Sequence, residues 1–127
     1  MNNLDRDYEK YTGAVIYALV GSDGVCYIGK SINYFNRMEQ HYYAFNSISK
    51  GKETIEGNKL VKAIRSGIRF KAKILEKIPP EKNSHNYLCE REEFYFELYG
   101  GLDGTYNSTY PTAPNYWYQP YNEIGSK

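Results

Sequence analysis

The chain has 127 residues and a formal net charge of +1 at pH 7. This length can bury a hydrophobic core without crosslinks, and we expect one domain with its core at about 12–110 and a Tyr/Pro-rich tail at 111–127. No apolar run approaches the roughly 20 residues of a membrane-spanning helix, and residues 1–10 are polar. We therefore expect a cytoplasmic protein without a membrane segment.

Two residue types narrow the class further. Fifteen residues are tyrosines, which can fill a core while their hydroxyls line a polar site. Cys26 and Cys89 are isolated thiols without a CxxC pair, and neither His41 nor His85 lies at a metal-site spacing from them. We therefore expect two small buried thiols rather than a zinc site.

The predicted elements begin with a β-hairpin. The apolar runs GAVIYALV (13–20) and VCYIG (25–29) are short and are joined by a Gly/Ser/Asp/Gly turn. Residues 31–47 then predict a helix with one apolar stripe. That stripe consists of Phe35, Met38, Tyr42 and Phe45.

A second helix and a third strand follow. Residues 58–67 predict a short helix that ends at Gly67. Residues 68–78 alternate with period two, which indicates a strand, and Pro79-Pro80 ends it. Its inward residues are Phe70, Ala72 and Ile74, and its outward residues are Arg69, Lys71 and Lys73.

The last predicted helix spans residues 86–100 and is closed by Gly100-Gly101. Residues 111–127 are predicted to be irregular. The element order predicts an α+β fold in which a small three-stranded antiparallel sheet is flanked by helices.

Charge is unevenly distributed along the chain. Residues 1–49 carry 4 basic and 5 acidic side chains, residues 50–82 carry 10 and 4, and residues 83–127 carry 2 and 6. The central excess of +6 predicts a local phosphate-binding surface, although a solvated charge run would have the same composition. The basic side chains that would follow a phosphate backbone are Lys59, Lys62, Arg65, Arg69, Lys71 and Lys73.

Helical phase separates one glutamate of the last helix from the others. At 100° per residue, Glu92 points into the apolar stripe with Leu88 and Phe96. Glu90, Glu93 and Glu97 point the opposite way. A buried ionised carboxylate costs several kcal/mol unless a cation or a metal compensates it. The alternative is a partly exposed Glu92 paired with a lysine at the helix edge.

Arg37 and His41 are four residues apart and share a face of the first helix. An arginine there can hold a phosphate with its planar fork of donors, and a histidine beside it can donate to the same phosphate or relay a proton. A surface pair at the helix boundary is the alternative.

These features follow one another in a specific order. The ordered set is VIY (15–17), YIG (27–29), Arg37, His41, Glu92 and YN (106–107). It resembles the GIY-YIG nuclease family, most closely the catalytic domain of phage intron-encoded homing endonucleases. Those domains also have a strand ending in the pattern of ILEKIP followed by a helix in the pattern of EREEFYF. The chain departs from the family at Val15, where the first motif has glycine, and at Asn36, where many relatives have a second basic residue.

The resemblance implies the GIY-YIG nuclease fold and a metal-dependent DNA endonuclease that uses one Mg²⁺ or Mn²⁺ per active site to hydrolyse phosphodiester bonds. Glu92 would be the metal ligand. Tyr17 would act on the attacking water as general base, and Tyr27 would orient the water or the scissile phosphate. Arg37 would stabilise charge on the transition state, and His41 would assist at the phosphate.

Two more residues join the implied substrate-binding set. Lys30 follows the YIG motif, and its charge is a candidate to favour the Tyr17 phenolate together with the metal. Asn107 matches a family asparagine that we expect to hold the backbone of the site.

Alternatives remain at this level. The chain could be a non-catalytic nucleic-acid-binding module, or a restriction-type or repair-type nuclease that finds its site through oligomerisation, using its aromatic tail. We expect low intrinsic sequence specificity, because no DNA-recognition domain follows the core within residues 111–127. Both a monomer and a homodimer are compatible with the sequence.

Overall fold

Three strands pair into one antiparallel sheet in the order β2-β1-β3. The structure, a computed structural model, describes residues 2–49 and 58–108. The strands are β1 (Val15–Gly21), β2 (Cys26–Ser31) and β3 (Phe70–Lys77). The helices are α1 (Tyr34–Ser49), α2 (Lys59–Arg65), α3 (His85–Leu98) and the one-turn α4 (Gly101–Gly104), with a short 3-10 turn at Pro80–Lys82. This confirms the predicted α+β class.

The central strand β1 is buried on both of its faces. Val15, Tyr17 and Leu19 pack into one cluster with α1 and α2, whereas Ala14, Ile16 and Ala18 pack into a second cluster with α3. A strand between two helical layers is apolar at nearly every position, as β1 is. Tyr17 therefore faces α1.

The buried face of α1 differs from the predicted stripe. Its buried residues are Tyr34, Met38, His41, Phe45 and Ile48. Phe35 and Tyr42 are only partly buried, because the N-terminal segment covers them rather than the sheet. The Tyr8 and Phe35 ring centroids are 6.1 Å apart, and the Arg6 guanidinium lies 4.4 Å from the Tyr42 ring. The prediction was thus right for Met38 and Phe45 and one position off at Phe35 and Tyr42, and His41 lies at the centre of the buried face.

Helix ends follow local chemistry. The Asn58 side chain caps α2 by accepting a hydrogen bond from Val61 N, and the Ser84 hydroxyl caps α3 at Tyr87 N. Gly67 follows α2 with φ +97°, and Gly100 follows α3 with φ +120°, a conformation that favours glycine. Gly101 begins α4 instead of closing α3, contrary to the prediction.

A short segment bonds to each edge strand of the sheet. Residues 105–107 run along β2, where Asn107 Oδ1 accepts from Ile28 N at 2.9 Å and Asn107 Nδ2 donates to Ile28 O at 2.8 Å. Residues 3–5 pair with the first residue of β3, where Phe70 N donates to Asn3 O and Asp5 N donates to Phe70 O. The Asn107 side chain, through its two hydrogen bonds, fixes the strand that carries Tyr27 and Gly29.

The predicted tail at 111–127 lies outside the described residues. Within 2–49 and 58–108, no helix combines the length and the apolar character needed to cross a membrane.

Candidate active site

A buried hydrogen bond joins β1 to α1. Tyr17 Oη lies 2.7 Å from His41 Nε2, and both side chains are fully buried. Burial lowers the pKa of His41 well below its ordinary value, and the charge of Arg37 adds to this effect. Burial also raises the pKa of Tyr17, against the opposing charge of Arg37. Both groups are therefore neutral near pH 7, and in the tautomer that carries the imidazole proton on Nδ1, the Nε2 atom accepts from the Tyr17 hydroxyl.

Gly29 lies beside the Tyr17 phenol. The two residues are register partners on β2 and β1, and a Cβ at Gly29 would lie 2.5 Å from Tyr17 Cζ and Oη. Only glycine leaves room for the phenol to extend past β2 to His41. Tyr27, two residues earlier, packs on the same histidine with ring centroids 6.1 Å apart. The YIG motif thus places the Tyr27 ring against His41 and leaves space at Gly29 for the Tyr17 phenol.

Arg37 lies one helical turn before His41, and its charge acts on both members of the hydrogen-bonded pair. Its Nε atom is buried and makes no hydrogen bond to any residue that the structure describes. A buried guanidinium donor is ordinarily satisfied, and a phosphate oxygen is an acceptor that would suit it. Arg37 is therefore placed to receive an anion beside Tyr17.

Glu92 on α3 forms a buried ion pair with Lys30 at the end of β2. Lys30 Nζ donates to Glu92 Oε1, and the two side chains are only 10% and 7% exposed. Burial raises the pKa of Glu92 to about 7, although Lys30 acts in the opposite direction. The charge of Glu92 also acts on Tyr17. The carboxylate thus belongs to the same electrostatic site as the Tyr17–His41 pair.

The prediction from helical phase is confirmed for α3. Glu92 is buried with Leu88 and Phe96. The exposed glutamates are Glu90, Glu93 and Glu97. The sequence offered burial and a lysine partner as alternatives for Glu92, whereas the structure combines them. The partner comes from β2, which the helix packs against, rather than from the helix edge.

The donors present fit a divalent cation held by a single carboxylate. No three His, Cys, Asp or Glu side chains converge on a metal site within 2–49 and 58–108. Mg²⁺ often takes one or two carboxylates and completes its coordination with waters and substrate phosphate oxygens. Glu92 supplies such a hard oxygen ligand in a buried setting. Because Lys30 bonds the same carboxylate, an ion there would share Glu92 with Lys30 or displace it.

Part of the predicted phosphate-binding set lies away from this site. The register puts Arg69, Lys71 and Lys73 near the hairpin end of β1, whereas Lys30 pairs with Ile16 at the other end. The remaining predicted members lie on α2, where Lys59 Nζ donates to Leu102 O and both Lys62 and Arg65 are exposed. The six basic side chains therefore do not form one uninterrupted phosphate-binding surface around Glu92.

Sequence reasoning missed the carboxylates that bind this basic strand. Asp5 lies 3.2 Å from Arg69 and 3.1 Å from Lys71, and Asp7 lies 3.0 Å from Lys71. Further along, Glu9 pairs with Lys77 at 3.0 Å. Acidic residues at every second position, in DRDYEK, were the signal that could have revealed an extended segment facing a basic strand.

The expectation of two buried thiols is right for Cys26 and wrong for Cys89. Cys89 is only partly buried, and its Sγ lies 3.8 Å from His85 Nε2. The two residues are one turn apart near the exposed start of α3, where little of the sheet covers the helix.

Comparison of the chain with protein-family models, with curated proteins and with solved structures finds no match. The fold and the site define an α+β protein with a neutral Tyr–His pair, an arginine and a buried carboxylate in one electrostatic cluster.

Proposed function

We propose that this protein is a divalent-metal-dependent endonuclease of the GIY-YIG type that hydrolyses phosphodiester bonds in DNA. It would act in the cytoplasm with low intrinsic sequence specificity. The observation that carries the proposal is the electrostatic cluster, in which the charges of Arg37 and Glu92 both act on the buried Tyr17 phenol that is bonded to His41. A general base, an anion-binding donor and a hard metal ligand are the groups that phosphodiester hydrolysis requires.

The base would be the Tyr17–His41 pair rather than Tyr17 alone. Burial keeps the phenol protonated in the resting protein, so Tyr17 can accept a proton from the attacking water only if its own proton leaves. His41 Nε2 is neutral and 2.7 Å away. The proton of Tyr17 would pass to His41 while the water proton passes to Tyr17. The resulting hydroxide would form a bond to phosphorus while the bond from phosphorus to the leaving oxygen breaks. His41 would then serve Tyr17, instead of the phosphate contact expected from the sequence.

Arg37 would bind a non-bridging oxygen of the scissile phosphate. Its buried Nε already lacks a partner among the described residues, so an incoming oxygen would satisfy the donor and place a positive charge where negative charge develops. Removing one such preorganised donor commonly costs a factor of about 10² to 10³ in rate. Tyr27, packed on His41, would limit where the water and phosphate can sit.

Glu92 would hold the divalent ion, with waters and substrate oxygens as its other ligands. Such an ion supplies Lewis-acid stabilisation of the phosphate and of the leaving oxygen. Lys30 would balance the charge of Glu92 whenever no ion is bound, which keeps a buried carboxylate from standing alone.

Nicking of supercoiled plasmid in Mg²⁺ or Mn²⁺ tests the proposal. We expect Glu92→Gln and Arg37→Ala each to lower the rate by about 100-fold or more. Glu93→Gln is the matched control, because Glu93 is the next residue on α3 and is exposed, and it should cleave like the wild type. Undiminished cleavage by Glu92→Gln would exclude the assignment. DNA binding by the wild type without cleavage in either metal would instead favour a non-catalytic binding module.

A further inference from the structure

The outer face of α3 combines an exposed apolar pair with three carboxylates. Phe94 and Leu98 are 49% and 66% exposed and lie one helical turn apart. With Glu90, Glu93 and Glu97 they line one shallow cleft. We call these five residues the acidic–apolar face.

The stability of α3 does not require these two apolar side chains to be exposed. The helix already packs on the sheet through Leu88, Glu92 and Phe96, and an outward Leu98 adds nothing to that interface. Contiguous exposed apolar surface bounded by polar residues marks protein interaction sites, whereas scattered single apolar side chains are ordinary. Phe94 and Leu98 are adjacent and share one cleft, which makes them a surface that a partner can cover.

The charge of this face determines which partner suits it. None of its three carboxylates forms a salt bridge with another residue in the described part of the chain. The face therefore presents three carboxylates without a salt bridge beside its apolar pair, and a neighbouring cation, the Arg91 guanidinium, lies over the Phe94 ring 4.6 Å from its centroid. These charges repel a phosphate backbone and attract lysine and arginine.

We propose that the acidic–apolar face binds a partner protein through a basic amphipathic helix. Apolar side chains of that helix, spaced three or four residues apart, would cover Phe94 and Leu98. Its flanking lysines or arginines would pair with Glu90, Glu93 and Glu97. This inference is independent of the endonuclease proposal, because it uses only the side of α3 opposite Glu92.

Two other occupants fit the charges less well. A second copy that docked through the same face would bring three carboxylates against three carboxylates, which disfavours the pair. The chain's own residues 109–127 contain one acidic and one basic side chain, Glu123 and Lys127. One lysine cannot balance three glutamates.

A peptide titration tests the proposal on the full chain. The probe is a fluorescein-labelled amphipathic peptide of roughly 18 residues, with leucines on one helical face and lysines on both flanks. A scrambled peptide of the same composition is the reference. Fluorescence anisotropy should show binding of the amphipathic peptide and at least about tenfold weaker binding of the scrambled one.

Three variants separate the apolar and charge contributions. Leu98→Asp should weaken binding by about tenfold or more, and circular dichroism should show that the fold persists, since Leu98 is an exposed side chain. Glu93→Gln with Glu97→Gln should weaken binding about fivefold at low salt. The matched control, Glu81→Gln with Asp103→Asn, removes two exposed carboxylates elsewhere and should stay within about twofold of the wild type.

Four results would overturn the proposal. The first is equal affinity of Leu98→Asp and the wild type for the peptide, and the second is no binding at all. The third is a wild-type dimer in sedimentation that Leu98→Asp dissociates, because the occupant would then be a second copy. The fourth is a red shift of Trp117 emission in Leu98→Asp without peptide, because the chain's own tail would then cover the face. Trp117 is the single tryptophan, so this signal is unambiguous.

Discussion

His41 Nε2 is the hydrogen-bond partner of the Tyr17 hydroxyl, 2.7 Å away and fully buried, although the two residues are 24 positions apart. Neither group has another charge state available near pH 7, since burial raises the pKa of Tyr17 and lowers that of His41. The pair is therefore neutral in the resting protein, and transfer of the Tyr17 proton to His41 requires a bound cation or substrate that favours the phenolate.

Removal of the Tyr17 hydroxyl should affect both stability and activity. We expect Tyr17→Phe to lower the free energy of unfolding by about 1–2 kcal/mol, because His41 Nε2 loses its donor. Under the endonuclease proposal it should also slow plasmid nicking by a factor of about 10² to 10⁴. Urea unfolding and nicking rates measure the two effects. Tyr34→Phe is the control, because the Tyr34 ring packs 6.2 Å from that of Tyr17. If both variants lost activity equally, the hydroxyl of Tyr17 would have no special role.

The stability of the protein should depend on pH in two opposing ways. The pKa of Glu92 in the folded state, about 7, lies above its ordinary value of 4.5. The folded state thus retains a proton that the unfolded state releases, so this contribution is present at low pH and is lost as pH rises from 4.5 through about 7. The loss amounts to about 3 kcal/mol. The pKa of His41 is lowered in the folded state, so its contribution is present above pH 6.5 and is lost as pH falls below that value.

Variants separate these two contributions. In urea unfolding at several pH values between 4.5 and 8, Glu92→Gln should remove the loss of stability on the alkaline side. His41→Gln should remove the loss on the acidic side, while its amide oxygen still accepts from Tyr17. Unchanged pH profiles in both variants would show that neither group is buried as the structure has it.

Gly29 should tolerate no side chain. A Cβ there would lie 2.5 Å from the Tyr17 phenol, so we expect Gly29→Ala to cost about 1–3 kcal/mol through overpacking. Gly104→Ala is the matched control, because its Cβ would meet Tyr99 O at an ordinary 3.5 Å. Thermal unfolding of the two variants measures the difference. If Gly29→Ala left the stability unchanged, the Tyr17 phenol would be able to move away from β2. The rate of plasmid nicking by the variant would then show whether activity requires the phenol to stay beside β2.

Acidic residues near the N-terminus should weaken DNA binding at the basic strand. Asp5 and Asp7 form salt bridges with Lys71, and exposed ion pairs are worth only about 0–1 kcal/mol. The two carboxylates therefore reduce the net charge of the basic strand without holding the Lys71 side chain in one position. Asp5→Asn with Asp7→Asn should tighten DNA binding several-fold at low salt, measured in EDTA to prevent cleavage. Asp103→Asn should change it little.

Lys62 and Lys71 should contribute unequally to DNA binding. Lys62 on α2 is exposed and forms no salt bridge with another described residue, whereas Lys71 is already paired. Lys62→Gln should therefore weaken DNA binding more than Lys71→Gln does. If Lys71→Gln weakened DNA binding more than Lys62→Gln, the DNA would lie on the β3 side of the sheet.

Local periodicity by itself determined which way many side chains point. A 3.6-residue repeat places Glu92 with Leu88 and Phe96 wherever α3 packs, and a two-residue repeat places Phe70 opposite Lys71. The turn residues between β1 and β2 dictated the hairpin, and the prolines after Ile78 dictated the end of β3. These features depend on neighbours a few positions away, so the sequence contains all the information needed to predict them.

Tertiary structure alone decided the partners. Glu92 is 62 residues from Lys30, Lys71 is 64 residues from Asp7, and Asn107 is 79 residues from Ile28. The periodicity of α1 also placed His41 at the margin of the predicted apolar stripe. The reason is that the N-terminal segment, rather than the sheet, covers Phe35 and Tyr42. Partners of this kind depend on strand register and helix rotation, which are set by the packing of the whole core and by no single stretch of the chain.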